Sequence, residues 1–188
     1  MSDVLILGGA RTPMTDYTGA LKDISALELG AIASRAAFER TGVKPEWIDH
    51  AVFGNVLQTS SDAIYGARHV ALKAGVPIEV PALTVNRLCG SGIQSIVNAV
   101  QQIHTGESTC VLAGGMENMS QAPHVIRGAR GGFKLGQGVL EDSLMVALKD
   151  SYSGLFMAQT SDNLARKFGI SRQAQDEYAL RSHSLGNQ

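Results

Sequence analysis

The segment around Cys89 has the residue types and spacing of a site for nucleophilic catalysis. It reads Asn-Arg-Leu-Cys-Gly-Ser-Gly-Ile from 86 to 93, and it joins an extended segment to an amphipathic helical pattern. The cysteine is therefore predicted on a strand-to-helix turn, at or just before the first helical residue. Unpaired backbone amides and the positive end of the helix dipole stabilise a thiolate there. The small residues Gly90 and Gly92 would let a substrate approach the backbone, whose amides could bind an oxyanion.

A structural role competes with this interpretation, because a free cysteine is usually a small buried hydrophobic residue. Position at a helix start does not by itself decide between the two roles of Cys89. Cys110 offers an internal comparison, since it lies inside the apolar run 108–112 with no glycine beside it, and core packing is predicted for it. A cysteine nucleophile also needs a base, normally histidine. None of the five histidines has a spacing that ties it to Cys89.

Alternating strands and helices are predicted to position this turn. Ser25 and Glu28 form a capping box that opens the first helix, and Gly42 ends that helix. Short apolar runs typical of buried strands occur at 4–7, 51–57, 81–85 and 108–112. This alternation favours an α/β fold with helices on the faces of a βαβ-type sheet.

Beyond about residue 116 the pattern changes to a glycine-rich, basic stretch that is predicted to be a loop. Helical patterns then resume at 141–148, 157–168 and 171–185. The change in character indicates that a second structural region begins there.

Composition and charge exclude several function classes. The 188 residues carry 16 Lys and Arg against 17 Asp and Glu, whereas a general nucleic-acid-binding surface would show a strongly basic balance. Two cysteines cannot form a disulfide framework, and no Cys/His cluster offers zinc ligands. No apolar run is long enough for a membrane span. We therefore expect a cytoplasmic protein with no metal and with neither nucleic acid nor membrane as a partner.

Several segments together resemble the thiolase family. The cysteine segment resembles the family's nucleophile motif, and Ala113-Gly-Gly-Met-Glu-Asn-Met-Ser120 resembles its second fingerprint. Further matching segments are Arg11-Thr12-Pro13, Gly54-Asn-Val-Leu-Gln58 and Asp62-Ala-Ile-Tyr-Gly-Ala-Arg-His69. The resemblance runs from about Val4 to Gln188 and is strongest to thiolases of the 3-ketoacyl-CoA type, with acetoacetyl-CoA thiolases as near relatives.

The resemblance implies a thiolase-like layered α/β fold, in which helices sandwich a central mixed sheet. Residues 1–117 would form the N-terminal thiolase half, whose last strands are expected beyond the chain end, and residues 118–188 the beginning of a loop domain for the substrate. The Gly-His-Pro, Cys-x-Gly-Gly-Gly and Asn-Glu-Ala motifs, which supply the family's base, second cysteine and asparagine, do not occur. They lie in a second half in the family, so the 188 residues alone are expected to be inactive.

The activity implied by the resemblance is ping-pong acyl transfer in fatty acid metabolism. Cys89 would take the acyl group of a 3-ketoacyl-CoA, acetyl-CoA would leave, and CoA would accept the shortened acyl chain. The reverse reaction is a Claisen condensation. The family uses coenzyme A as substrate and needs no cofactor. We expect an acetyl-CoA acyltransferase that binds acyl-CoA and CoA and forms a homodimer or homotetramer.

Substrate-binding residues are also implied by the resemblance. Leu148 and Met157 match positions that line the pantetheine and acyl channel. Many acetoacetyl-CoA thiolases carry histidine where this chain has Phe156, so the phenylalanine favours a broader range of 3-ketoacyl chains. The basic loop at 127–134 matches a region used in tetramer assembly or near the CoA entrance. The alternatives are an acetoacetyl-CoA-specific biosynthetic thiolase, a related ketosynthase or hydroxymethylglutaryl-CoA synthase, and a non-catalytic lipid carrier or scaffold.

Overall fold

The computed structural model describes residues 3–187, which divide into two compact units after Pro123. The first unit alternates three α-helices with three parallel strands. In chain order these are α1 (Ala26–Thr41), β1 (His50–Gly54), α2 (Gly66–Lys73), β2 (Ala82–Val85), α3 (Ser91–Thr105) and β3 (Val111–Gly115). The predicted α/β fold is thereby confirmed.

The strands form one sheet with the order β2-β1-β3. Ala51 pairs with Ala82 on one side and with Leu112 on the other, and both pairings are parallel. The sheet in the described residues is thus parallel throughout. Crossover connections between parallel strands are right-handed, and the two connections here run in opposite directions across the sheet. Helices α2 and α3 therefore lie on opposite faces, and α1 packs beside α2.

The core of the first unit lies between the sheet and the α1–α2 pair. Leu27 of α1 and Val70 of α2 are fully buried, and Phe53 of β1 packs into the same cluster. Burial of each such side chain contributes about 1.5–3 kcal/mol of hydrophobic free energy. The packing holds β1 firmly, and β1 in turn supports the turn that carries Cys89.

The predicted ends of α1 agree with the structure, although the capping box is only half formed. Ser25 Oγ accepts a hydrogen bond from Glu28 N at 3.2 Å, and Gly42 ends the helix in the left-handed conformation with φ of 72°. The Glu28 carboxylate does not return to the cap. It instead binds Arg35 at 3.0 Å and Lys73 at 3.3 Å, and the Arg35 hydrogen bond lowers the pKa of Glu28.

The strand predicted at 4–7 is wrong. Residues 3–10 lack regular secondary structure, and the side chains of Leu5 and Ile6 are 75% and 80% exposed. This segment and β3 line a shared groove of about 590 Å³. An apolar run becomes a strand only when a neighbouring strand satisfies its backbone groups. Here the groove lies where such a neighbour would be.

The second unit combines a small antiparallel hairpin with three helices. Its elements are β4 (His124–Ile126), β5 (Leu140–Asp142), α4 (Ser143–Ala147), α5 (Met157–Phe168) and α6 (Arg172–Gly186). Helices α5 and α6 match the predicted helical patterns, whereas α4 covers only part of the predicted 141–148 because residues 141 and 142 belong to β5. Strand β4 lies in the stretch that was predicted to be a loop. Arg127 Nε lies 2.7 Å from Glu141 Oε2 and links the two hairpin strands. No residue from 124 to 187 is buried, so this unit has no core of its own in the described chain.

Among residues 3–187, no helix combines the length and apolarity that crossing a membrane requires.

Candidate functional site

Cys89 lies exposed on the turn between β2 and α3, two residues before the first helical residue. This is the position that the sequence pattern predicts. The preceding residue, Leu88, has φ of 49°, which is uncommon for a residue other than glycine. Side chains that hold such a backbone conformation must compensate its cost, which is about 1–3 kcal/mol.

Ser91 closes the turn from the helical side. Its Oγ accepts a hydrogen bond from Arg87 N at 2.9 Å and donates one to the carbonyl oxygen of Leu88 at 2.6 Å. The backbone adds two more hydrogen bonds, from Gly90 N to Arg87 O and from Ser91 N to Leu88 O. Ser91 is only 5% exposed, so these contacts are shielded from water. Cys89 thus sits on a rigid turn.

Close packing against β1 fixes the start of α3. A Cβ atom added to Gly54 would lie 2.6 Å from Ser91 Cβ and 2.7 Å from its carbonyl carbon. Real Cβ atoms do not approach other atoms so closely, so only glycine allows α3 to begin at this distance from the sheet. The end of β1 and the turn with Cys89 therefore form one packed unit.

Of the backbone amides at this turn, only some are available to donate a hydrogen bond to an oxyanion. Gly90 N and Ser91 N already donate within the turn, whereas the amide of Cys89 has no hydrogen-bond partner among the described residues. No atom lies within 4 Å of a Cβ built on Gly92, so the backbone is open to an incoming molecule there. Cys89 N is therefore better placed than Gly90 N or Ser91 N to donate a hydrogen bond to an oxyanion.

Two polar residues beside the turn were not assigned roles from the sequence. Asn86 Oδ1 accepts a hydrogen bond from Leu88 N at 3.0 Å. This is an Asx turn, which the asparagine two residues before Leu88 could have indicated. Glu117 accepts hydrogen bonds from Val56 N and Leu57 N. Its partners lie about 60 residues away, and no spacing rule could have found them.

Glu117 has a half-buried carboxyl near this turn. Burial raises the pKa of Glu117, while the hydrogen bonds from Val56 N and Leu57 N act in the opposite direction. Its Oε1 also accepts from Asn55 Nδ2 at 3.1 Å. The carboxyl therefore holds the loop that follows β1.

Cys110 packs against the hydrophobic core, as predicted. Burial raises the pKa of its thiol, and the nearby negative charge of Asp49 raises it further. Both effects disfavour the thiolate, which is the reactive form of cysteine. The two cysteines of the chain therefore occupy opposite chemical environments.

The side chains of His50 and His69 in the first unit make polar contacts with residues other than Cys89. His50 Nε2 lies 3.2 Å from Gln102 Nε2, and His69 Nδ1 lies 3.4 Å from Asp62 Oδ2. His69 also stacks on Tyr65 with ring centroids 4.9 Å apart. Neither histidine is oriented as a partner of the cysteine by these contacts.

The second unit brings together the three residues that were predicted to bind substrate. Met157 begins α5, and its backbone N–H donates to the carbonyl oxygen of Leu148 at 3.1 Å. Phe156 lies between them in the chain and is half-buried, with Lys149 Nζ 5.7 Å from its ring centroid. The backbone contact places Leu148, at the end of α4, next to the start of α5, where Phe156 and Met157 lie. Their role in substrate binding stays a prediction.

No group of three or more His, Cys, Asp or Glu side chains could hold a metal ion in the described part of the chain. The expectation that the protein needs no cofactor stays a prediction.

Comparison of the sequence with known proteins gives matches along almost the whole chain. The model of the thiolase N-terminal domain matches residues 4–188. The human mitochondrial 3-ketoacyl-CoA thiolase is 53% identical over 180 residues, which cover 95% of this chain and 45% of the human protein. The acetyl-CoA acetyltransferase of Cupriavidus necator is 45% identical over 185 residues, which cover 98% of this chain and 47% of that enzyme.

Solved structures agree with these matches. The structure of human mitochondrial 3-ketoacyl-CoA thiolase in complex with CoA superposes with a TM-score of 0.92 at 54% identity, covering 94% of this chain and 45% of that one. The acetyl-CoA acetyltransferase of Bacillus anthracis gives a TM-score of 0.91 at 38% identity, covering 96% and 45%. The chain thus spans less than half the length of these relatives.

Proposed function

The chain belongs to the thiolase family, and from this premise we propose that it is the N-terminal part of an acyltransferase in which Cys89 carries the acyl group. The observation that supports the proposal is the exposed thiol on a rigid turn at the start of α3. The amide of Cys89 has no hydrogen-bond partner among the described residues and can therefore stabilise an oxyanion. The half-buried Cys110 has neither advantage.

The proposed reaction has two half-reactions. The Cys89 thiolate attacks the 3-keto carbon of a 3-ketoacyl-CoA, and the bond between carbons 2 and 3 breaks. The electron pair of that bond passes to carbon 2, which takes up a proton, and acetyl-CoA leaves. The thiolate of a second CoA then attacks the acyl-cysteine thioester and regenerates the Cys89 thiolate. The amide of Cys89 would stabilise the oxyanion that develops in each attack.

We propose 3-ketoacyl-CoA molecules of several chain lengths as the substrates. Phe156 supports this choice, because it stands where histidine stands in many acetoacetyl-CoA thiolases. The similarity to two acetyl-CoA acetyltransferases supports the second candidate, an acetoacetyl-CoA-specific biosynthetic thiolase. The two candidates share the chemistry at Cys89 and differ in the acyl chain.

The experiment uses the complete gene product that contains this chain. Incubation with a 3-ketoacyl-CoA is expected to add the mass of one acyl group to Cys89, and Cys89→Ser is expected to abolish both this adduct and thiolysis. Cys110→Ser is the matched control and should retain both. An unmodified Cys89 in a folded protein would contradict the proposal and favour a non-catalytic lipid carrier or scaffold. Rates that fall steeply beyond acetoacetyl-CoA would favour the second candidate.

A homodimer or homotetramer is proposed for the complete protein, with the basic loop at 127–134 as a surface near the subunit contact or the CoA entrance. The relatives include both mitochondrial and bacterial proteins. The predicted cytoplasmic location gains no support from them and stays a prediction.

A further inference from the structure

We propose that Glu117 is a positioning residue for Cys89 and that it acts through the loop after β1 and through Asn86. The inference rests on the proposed function, in which Cys89 is the nucleophile. The half-buried carboxyl of Glu117 has no part in the proposed reaction itself.

Glu117 holds the loop after β1 by accepting three hydrogen bonds from it. Its Oε2 accepts from Val56 N at 2.9 Å, and its Oε1 accepts from Leu57 N at 3.0 Å and from Asn55 Nδ2 at 3.1 Å. Asn55 Nδ2 also donates to the carbonyl oxygen of Met116 at 3.0 Å. Two consecutive backbone amides thus depend on one carboxylate, and the position of Val56 is fixed.

Asn86 connects the loop after β1 to the turn that carries Cys89. Asn86 Nδ2 donates to the carbonyl oxygen of Val56 at 3.4 Å, while Asn86 Oδ1 accepts from Leu88 N at 3.0 Å. One asparagine side chain therefore joins the loop held by Glu117 to the residue before the nucleophile. The residue it reaches is Leu88, whose φ of 49° needs support.

Both oxygens of the residue at position 117 must accept hydrogen bonds. All three donors point at carboxylate oxygens, so the site requires acceptors on both sides. A glutamine of the same shape would present its NH2 group to a backbone N–H, and one hydrogen bond would be replaced by a repulsive contact. Without the hydrogen bonds from Glu117, Val56 can move, and the hydrogen bond between its carbonyl oxygen and Asn86 Nδ2 weakens. The turn that carries Cys89 is then less firmly held at the start of α3.

The experiment measures the turn directly in the complete gene product. Alkylation of Cys89 by iodoacetamide near neutral pH, followed by mass spectrometry, is expected to slow about tenfold in Glu117→Gln and in Asn86→Ala. The kcat of thiolysis should fall by a similar factor with little change in KM. The double variant should lose no more than either single variant, because both act on one connection.

Asp49→Asn is the matched control. Asp49 also accepts backbone hydrogen bonds, from Thr109 N and Cys110 N, but these lie at the opposite end of β3 from the turn. This variant should leave the alkylation rate of Cys89 unchanged. Two results would overturn the proposal. One is a double variant in which the rate losses of Glu117→Gln and Asn86→Ala multiply. The other is an alkylation rate of Cys89 in Glu117→Gln that lies within twofold of the wild-type rate.

A second variant covers the case in which Glu117→Gln does not fold. Asn86 is exposed, and Asn86→Asp keeps the acceptor for Leu88 N while it removes the donor to Val56. A slower alkylation of Cys89 in this variant supports the connection, and an unchanged rate contradicts it. The alkylation readout needs no acyl substrate. Failure of thiolysis in the wild type would therefore refute the proposed function without deciding the role of Glu117.

Discussion

The two cysteines show how strongly the surroundings of one residue type determine its chemistry. Cys89 is exposed at a helix start, whereas Cys110 packs against the core and faces the charge of Asp49. Burial and that charge both raise the pKa of the Cys110 thiol, which leaves it protonated near neutral pH. Cys89 therefore combines access with a place at a helix start, whereas the thiol of Cys110 is kept in its unreactive form.

This contrast predicts selective labelling. With limiting iodoacetamide near neutral pH, the complete protein should become alkylated at Cys89 while Cys110 is spared, as measured by peptide mass spectrometry. Urea at a denaturing concentration is the control, because unfolding should make both cysteines react. Equal labelling of the two residues in the folded protein would count against the role assigned to the turn.

At the residue scale, the sequence predicted the position of Cys89 but not what holds it there. Glycines and the change of period from strand to helix are local signals, and they located the turn. The support from Glu117 to Val56 comes from residues about 60 positions apart. Such contacts depend on how β1 and β3 lie side by side, and no pattern within one element encodes them.

At the element scale, β3 begins with a polar clamp. Asp49 Oδ2 accepts from Thr109 N at 2.6 Å and from Thr109 Oγ1 at 2.8 Å. Burial acts to raise the pKa of Asp49, but the hydrogen bonds from Thr109, Cys110 and Ser108 together outweigh it and the pKa is lowered. The ionised carboxylate therefore ties the chain before β1 to the chain before β3.

The clamp predicts a pH-dependent loss of stability in Asp49→Asn. A carboxyl whose pKa is lowered by folding stabilises the fold above its unfolded pKa, and this contribution disappears as the pH falls through the folded value. The variant should lose about 1 kcal/mol at neutral pH, since the carboxyl is partly exposed. The difference between the urea midpoints of the wild type and of Asp49→Asn, measured in the complete protein, should stay constant down to about pH 5 and disappear at lower pH.

Asp23→Asn is the control for this prediction, because the Asp23 side chain is 82% exposed and, within residues 3–187, forms an ion pair only with the adjacent Lys22. It should show no such difference at any pH. A difference for Asp49→Asn that keeps its full size at the lowest pH would mean that the charge of Asp49 is not what stabilises the fold.

Helix α1 and the runs that overlap β1, β2 and β3 were predicted from the sequence, whereas the strand predicted at 4–7 was wrong. Helix α1 has its cap, its stop and its apolar face within one stretch of sequence, and both ends agree with the structure. The apolar run at 4–7 has the composition of a strand, yet its backbone groups require a partner across the groove beside β3. Strand composition is local, whereas strand pairing is not.

At the scale of the whole molecule, the first unit exposes apolar surface that a complete globular domain would cover. The groove between residues 3–10 and β3 is lined largely by apolar side chains, and Leu5, Ile6 and Leu7 are all exposed around it. On the face of α3, Ile93 is also exposed. Such surfaces and an unpaired strand edge are typical sites of association. We infer that this surface is covered in the complete gene product, since the chain spans less than half the length of its relatives.

This inference predicts opposite effects of one substitution in two polypeptides. In the 1–188 polypeptide, Ile6→Lys should reduce self-association and binding of the dye ANS, because it places a charge beside the open groove. In the complete protein the same change should lower the melting temperature, since it would bury an unpaired charge. Tyr152→Lys is the control, because Tyr152 is 99% exposed in the second unit and does not line the groove. An Ile6→Lys variant of the complete protein that melts like the wild type would show that residues 3–10 stay exposed there, and the groove would then need no further part of the chain to fill it.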